Sequence, residues 1–225
     1  MPVIVSIVGK SSTGKTTFLE KLLRELTARG NKVATIKHSH HSLSFDDPSK
    51  DSYRHAQAGA AATMVSSTTS FQIIKAVPRE LSIEELARNL GEEYDLILTE
   101  GFSRGNMPKI EIHRKEAGPL LETATRLFAV VTDEPLETEA RQFGFEDVKG
   151  VADLLEEKYI RPNQERFTLY VEGENLPASA LPRQAIEDFL AAVNKTLKGD
   201  REITDLEFRY YKRRNRGEAK EKMAA

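Results

Sequence analysis

The sequence contains no cysteine and no long apolar run. Without cysteine, disulfide bonds, thiolate metal sites and cysteine nucleophiles are excluded. No stretch approaches the ~20 apolar residues that a membrane-spanning helix requires, so we expect no membrane association. The apolar run near the start is too short for a signal-peptide core and lacks both a basic leader and a small-residue cleavage site. These absences predict a cytoplasmic protein.

An excess of charge of one sign is also lacking, because 33 basic residues face 35 acidic residues and give a net charge of −2. This balance provides no overall attraction to nucleic acid or membranes. Nucleic acid is therefore not an expected partner, and any polyanion site must be local. A length of 225 residues allows one α/β domain of about 150 residues with a small appendage.

Residues 9–17 match the phosphate-binding loop (P-loop) pattern G-x-x-x-x-G-K-[ST] at every fixed position. The glycines let the backbone curl so that several N–H groups converge on phosphate oxygens. Lys15 is expected to reach the β- and γ-phosphates and to act in catalysis, and the Thr16 hydroxyl to bind Mg²⁺. The residues expected to contact the nucleotide are Gly9, Lys10, Ser11, Ser12, Thr13, Gly14, Lys15, Thr16 and Thr17.

The flanking sequence supports the P-loop. Residues 2–8 form a short apolar, β-branched run typical of a buried strand, and residues 17–26 carry apolar side chains at helical spacing. Lys10 directly follows the first glycine, as in the deviant loops of dimeric ATPases. It could reach the nucleotide of a partner subunit or simply be a solvated loop lysine.

Glu100 is the second feature typical of phosphate chemistry. A hydrophobic strand over 95–99 delivers this carboxylate next to Gly101, at the strand end that faces the nucleotide in a P-loop fold. Glu100 is expected to act on Mg²⁺ or to orient an attacking water. Asp95 would lie too far away, at the other end of the strand. The alternative is that Glu100 caps a surface turn.

Histidines cluster in residues 37–41, just beyond the second predicted strand. Such a cluster can bind a transition metal, contact anions or form a polar loop. Its position at the nucleotide end favours phosphate or substrate contact by Lys37 and His38. Asp46 follows and offers a carboxylate for Mg²⁺, and Arg54 could contact phosphate. The charged residues between Asp46 and Arg54 could equally well form an ordinary helix start.

Further strands are predicted over residues 32–37, 62–66, 71–75, 109–113 and 127–131, and a capped helix over residues 82–90. This alternation predicts an α/β fold, a P-loop NTPase with a mostly parallel sheet flanked by helices. The core is expected to span residues 1–160.

A small α+β unit is predicted over residues 165–215, with strands over 167–171 and 203–211 and a helix over 182–197. Residues 216–225 are expected to form a basic, disordered tail. The basic end could instead dock nucleic acid or an acidic protein.

The chain resembles the molybdopterin-guanine dinucleotide biosynthesis protein B (MobB) family over residues 2–159. The resemblance rests on the P-loop, residues 37–41, Asp46 with residues 50–53, residues 58–60, residues 100–102 and residues 108–110. It implies a GTP-binding, weakly hydrolysing homodimer that assists the guanylyltransferase attaching GMP to molybdopterin. Ser49 departs from the family pattern, where a glycine is usual, and Lys10 is unusual in the loop. The C-terminal unit lies outside the resemblance and could dock the transferase or a molybdoenzyme.

Two other functions remain open from the residues. A nickel-delivery maturation GTPase also combines a P-loop with clustered histidines, although the lack of cysteine disfavours it. A small-molecule kinase using ATP would have the same P-loop and sheet.

Guanine preference has little local support, because the sequence lacks an Asn-Lys-x-Asp base-reading motif. Asp133 could accept hydrogen bonds from guanine N1 and N2, or could be an ordinary turn aspartate. Hydrolysis is expected to be slow, since no arginine can be assigned as a finger, and Arg104 and Arg114 are candidates only by position.

Overall fold

The computed structural model of the chain describes residues 1–38, 51–163, 169–171, 174–176 and 183–196. The strands are β1 Val3–Val8, β2 Val33–Lys37, β3 Ala62–Ser66, β4 Phe71–Lys75, β5 Leu96–Glu100, β6 Lys109–Ile112, β7 Leu127–Val131, β8 Arg141–Phe143, β9 Leu169–Val171 and β10 Glu174–Leu176. The helices are α1 Lys15–Ala28, α2 Asp51–Gln57, α3 Ile83–Leu90, α4 Val148–Leu155 and α5 Arg183–Thr196. A π-helical turn, Glu156–Ile160, extends α4.

The main sheet has six strands in the order β2-β5-β1-β6-β7-β8. All five neighbouring pairs are parallel. The predicted mostly parallel α/β sheet is therefore confirmed. Because every strand runs in the same direction, the carboxyl ends of β1, β5 and β7 meet at one edge, where the loop of residues 9–14 also lies. The strand β8 and the helix α4 were not predicted from the sequence.

Apolar side chains cover both faces of this sheet. On one face, α1 and α4 pack against alternate residues of β1, β5 and β6, with Phe18, Leu22 and Val151 at the centre of the cluster. On the other face, α3 contributes Ile83 and Ala87. A capping box begins α3, in which Ser82 accepts from the Glu85 backbone N–H and Glu85 accepts in return. The helices thus lie on both faces, as the alternating pattern predicts.

One face of β6 is polar although it is buried. Lys109 and Glu111, together with His113 directly after the strand, alternate with Ile110 and Ile112, whose side chains enter the apolar core. The segment between β6 and β7, residues 114–126, supplies at least one partner to each of them, and we call it the β6–β7 connection. The strand therefore joins the core on one side and this connection on the other.

Each polar side chain of β6 bonds backbone groups. The Lys109 ammonium group donates to the carbonyl oxygens of Gly105, Met107 and Thr125. The Glu111 carboxylate accepts from the Leu121 N–H at 2.9 Å, and the His113 ring contacts the Gly118 carbonyl oxygen at 2.8 Å. Burial raises the pKa of Glu111, although the Leu121 N–H opposes that effect. These bonds fix the course of the β6–β7 connection.

The strands β3 and β4 are present as predicted, but they do not join the main sheet. Within the described ranges they pair only with each other, as an antiparallel hairpin. Several of their large apolar side chains are exposed, including Met64 at 62 %, Phe71 at 68 % and Ile73 at 50 %. Short runs containing β-branched and other apolar residues thus identified the strands, but not the sheet to which they belong.

The chain divides into two compact units, Met1–Phe167 and Thr168–Ala225. In the second unit β9 and β10 form an antiparallel pair, and α5 confirms the predicted helix. The predicted strand over 203–211 and the predicted tail over 216–225 lie outside the described residues. In the part of the chain that is described, no helix is long and apolar enough to cross a membrane.

Candidate phosphate and magnesium site

The P-loop joins β1 to α1 as the sequence predicts. Gly9 and Gly14 have φ values of 144° and 94°, a region that glycine adopts without strain. A Cβ on Gly9 would collide with the carbonyl oxygen of Ile112, so the loop also lies tightly against the end of β6. No described side chain caps α1. The N–H groups of its first turn are therefore directed at the position that a phosphate would take.

The Lys15 side chain folds back over its own loop. Its ammonium group donates to the Lys10 carbonyl oxygen at 2.7 Å. Burial lowers the pKa of Lys15, while the Glu100 charge raises it and Lys37 lowers it further. A phosphate group would give this partly desolvated cation a stronger partner than one carbonyl oxygen.

Thr16 and Glu100 meet at the edge of the sheet. The Thr16 hydroxyl donates to Oε1 of Glu100 at 2.9 Å, and Nζ of Lys37 lies 3.6 Å from the same oxygen. Hard oxygen ligands of this kind suit Mg²⁺, which P-loop proteins hold between a loop hydroxyl and a strand-end carboxylate. The residues present therefore fit the metal. Asp95 lies at the other end of β5, where it accepts from the Lys32 N–H, as expected.

His38 lies beside this pair but points to other partners. Its backbone N–H donates to the Glu100 carbonyl oxygen, and Nε2 lies 2.7 Å from the Glu80 carboxylate. The ring also stacks at a tilt against Phe102, with centroids 4.9 Å apart. His40, His41 and Asp46 lie outside the described residues. Among the residues that are described, no cluster of three or more His, Asp or Glu side chains could hold a metal.

Lys10 contacts its own chain. Its ammonium group donates to the Ala117 carbonyl oxygen at 2.7 Å. The P-loop is therefore joined directly to the β6–β7 connection.

Asp133 follows β7 at the same edge of the sheet. Its carboxylate accepts from the Lys115 N–H at 2.9 Å and from the Arg114 guanidinium at 3.0 Å. The same guanidinium lies 3.5 Å above the ring centroid of Phe145, whose edge approaches Gly14 of the P-loop. Arg114 is thus held at the Asp133 side of the site.

The sequence predicts that one site contains Lys15, Thr16, Lys37 and Glu100. In the structure these residues lie close together, as predicted. The sequence did not predict the Arg114 and Phe145 pair or the contact of Lys10 with the β6–β7 connection. No local pattern marks these residues, because they come from different connections between strands and helices.

A six-stranded parallel sheet with a glycine-rich loop between β1 and α1 defines a P-loop NTPase fold. The family model of molybdopterin guanine dinucleotide synthesis protein B (MobB) matches residues 4–133. The chain therefore belongs to the MobB family.

Individual relatives support this family assignment. The chain is 37% identical over 155 residues to a molybdopterin-guanine dinucleotide biosynthesis adapter protein of Haemophilus influenzae, covering 68% of this chain and 87% of that one. It is 38% identical over 166 residues to the Escherichia coli adapter protein of the same name, covering 71% and 95%. A solved structure of Bacillus subtilis MobB superposes with a TM-score of 0.54 at 27% identity, covering 71% of this chain and 98% of that chain. The MobB homologue of Bacillus stearothermophilus gives a TM-score of 0.53 at 25% identity, covering 71% and 99%.

Proposed function

We propose that this protein is a GTP-binding adapter in molybdenum cofactor biosynthesis, acting where molybdopterin is converted to molybdopterin-guanine dinucleotide. The observation that carries the proposal is the P-loop with Lys15, whose Thr16 hydroxyl meets Glu100 at 2.9 Å, in a chain of the MobB family. The names of the relatives supply the pathway. The cytoplasm, which holds the nucleotide pools, is the proposed compartment.

In this proposal the phosphates of GTP bind to the backbone of residues 9–17, and Lys15 exchanges the Lys10 carbonyl oxygen for a phosphate oxygen. Thr16 and Glu100 hold Mg²⁺, with Asp46 as a further carboxylate ligand. Lys37 and His38 contact phosphate or substrate from the end of β2. When bound, the metal would neutralise phosphate charge.

Hydrolysis is proposed to be slow. Arg114 bonds Asp133 and stacks on Phe145, which turns its charge toward the Asp133 side and away from a role as arginine finger. Arg104 is exposed. P-loop enzymes without a positioned arginine lose about 10³ to 10⁵ in rate. The main task of the protein is therefore nucleotide-dependent contact with molybdopterin guanylyltransferase and with molybdoenzymes.

A homodimer is part of the proposal. The β3–β4 hairpin exposes Met64, Phe71 and Ile73, an apolar patch of the kind that proteins cover at interfaces. Replacing Phe71 with serine should shift the parent dimer toward monomer in sedimentation equilibrium. A Phe189→Ser variant, which removes another exposed phenylalanine, is the control. Identical sedimentation of the Phe71 variant and the parent would reject the hairpin as the interface.

The first test is a thermal-shift titration with GTP, ATP and GDP, each with and without Mg²⁺. A ligand at ~100 times its dissociation constant adds about 2.7 kcal/mol, or roughly 5 to 10 °C for a chain of this size. We expect a Mg²⁺-dependent shift with GTP that is lost in Lys15→Ala. A shift with ATP alone would favour a kinase and contradict the proposed adapter.

A further inference from the structure

Three side chains from separate connections meet beside the P-loop. Arg114 follows β6, Asp133 follows β7 and Phe145 follows β8. The Arg114 guanidinium lies 3.5 Å above the Phe145 ring and 3.0 Å from Oδ2 of Asp133. Because Phe145 also approaches Gly14, this cluster adjoins the phosphate site. We call Arg114, Asp133 and Phe145 the side cluster.

A shallow cleft of about 390 Å³, wide open to solvent, lies next to the side cluster, between the ends of β7 and β8. It is lined by Thr132, Asp133, Gln142 and Gly144, among other residues. Its size falls within the range of small-molecule sites. A nucleotide bound through its phosphates at the P-loop needs a place for its base nearby, and this cleft lies at the same edge of the sheet.

The protonation state of Asp133 determines which edge of a nucleotide base it can bind. The Lys115 N–H, followed by Arg114, lowers the pKa of Asp133, so its carboxylate is ionised at neutral pH. An ionised carboxylate only accepts hydrogen bonds, and its two oxygens keep further lone pairs beyond the bonds from Lys115 and Arg114. Guanine presents two adjacent donors, N1–H and the N2 amino group. Adenine presents no such pair of donors on that edge.

We infer that the side cluster is a guanine-reading site, in which Asp133 accepts from N1–H and N2–H and the base packs against the layer of Arg114 and Phe145. This inference rests on nucleotide binding at the P-loop. It accounts for the missing Asn-Lys-x-Asp motif, because Asp133 follows β7 whereas Arg114 follows β6. Residues from two separate connections cannot form one contiguous motif. Phe145 supplies an apolar face, and Arg114 positions Asp133 and Phe145 together.

The test compares bases that present different hydrogen-bonding groups to Asp133. Xanthine replaces the N2 amino group of guanine with a carbonyl oxygen, which an aspartate repels and an asparagine amide can bind. We expect the parent to bind GTP about 10- to 100-fold more tightly than XTP or ATP, and Asp133→Asn to lose or reverse the GTP preference over XTP. Fluorescence titration of each nucleotide with Mg²⁺ measures these ratios. Asp153→Asn removes a carboxylate that also pairs with an arginine, Arg29, and should keep the parent ratio.

The positioning role of Arg114 and the packing role of Phe145 have their own variants. Arg114→Ala should lower the GTP-to-XTP ratio several-fold, and Arg114→Lys should restore part of it. Phe145→Leu should weaken binding of all bases several-fold, whereas Phe145→Tyr should keep the parent affinity. A purely structural role would lower the unfolding temperature without changing the ratio. That result for both Arg114 variants would overturn the positioning role.

The outcomes separate this inference from the proposed function. If GTP binds and depends on Lys15 but Asp133→Asn keeps the parent GTP-to-XTP ratio, guanine reading by Asp133 is rejected and nucleotide binding stands. If the parent binds no nucleotide, and Lys15→Ala matches it, both are rejected. A GTP preference that becomes an XTP preference in Asp133→Asn alone supports both.

Discussion

The phosphate side and the Asp133 side of the site are built in different ways. The phosphate side comes from one stretch, residues 9–17, and the end of the neighbouring strand β5, whose Glu100 meets Thr16 at 2.9 Å. The Asp133 side brings together Arg114, Asp133 and Phe145, which follow three different strands. Backbone geometry fixes the first side, whereas long-range packing fixes the second.

The β6–β7 connection links the two sides. It bonds Lys10 of the P-loop through the Ala117 carbonyl oxygen and Asp133 through the Lys115 N–H. The polar face of β6 holds this connection in place through Lys109, Glu111 and His113. A change in the connection should therefore act on both sides, and a change in the loop glycines mainly on the phosphate side.

Lys109→Met should give the largest loss of stability. The substitution leaves three carbonyl oxygens without the ammonium group, in a side chain that is fully buried. A hydrogen bond from a charged group contributes about 1.5–3 kcal/mol, so losing all three should cost about 3 kcal/mol or more, or roughly 6 to 12 °C. Thermal unfolding measures the shift, with the exposed Lys32→Met as control. Equal melting temperatures would show that the connection does not depend on Lys109.

Gly9→Ala should damage the phosphate side selectively. The new Cβ would meet the Ile112 carbonyl oxygen at a residue with φ of 144°. Such strain costs about 1–3 kcal/mol, and the displaced loop should lose most of its affinity for GTP. Gly30→Ala, at φ of 88° with open space around it, is the matched control. GTP affinity at the parent level in the Gly9 variant would contradict the tight fit of the loop.

Lys10→Ala tests the link between the two sides. Loss of the bond to the Ala117 carbonyl oxygen should cost about 1 kcal/mol and roughly 2 to 4 °C. A parallel GTP titration decides whether Lys10 also contacts nucleotide, including that of a partner subunit. An unchanged melting temperature would show that the contact with Ala117 contributes nothing to the fold.

The pH dependence of Asp133→Asn should be the smallest effect. The folded-state pKa of Asp133 is lowered, so its contribution to stability is present above the ordinary value of 3.8 and is lost as pH falls through the folded-state pKa. The difference in melting temperature between parent and variant, without nucleotide, should therefore shrink as pH falls from 6 toward 3. A difference that stays constant over this range would indicate that the carboxylate charge is not involved.

The sequence predicted the regular elements of the main sheet that carry strong patterns. Apolar runs marked β1 and β5, and the helical spacing of Phe18, Leu19 and Leu22 marked α1. It did not predict β8, because three residues, Arg141–Phe143, carry too short a pattern. It also could not show that β3 and β4 form their own hairpin, since a short run of strand-forming residues indicates a strand but not the strand with which it pairs.

The residues that form the P-loop side of the site could be predicted from the sequence alone. The residues of a P-loop are contiguous, and the parallel α/β order brings Glu100 to the same edge as Thr16. The pairing of Arg114 with Asp133 and Phe145 became visible only in the folded chain, as did the support that the connection after β6 gives to Asp133. The physical reason is that these contacts join residues distant in sequence, whose meeting depends on how the connections pack.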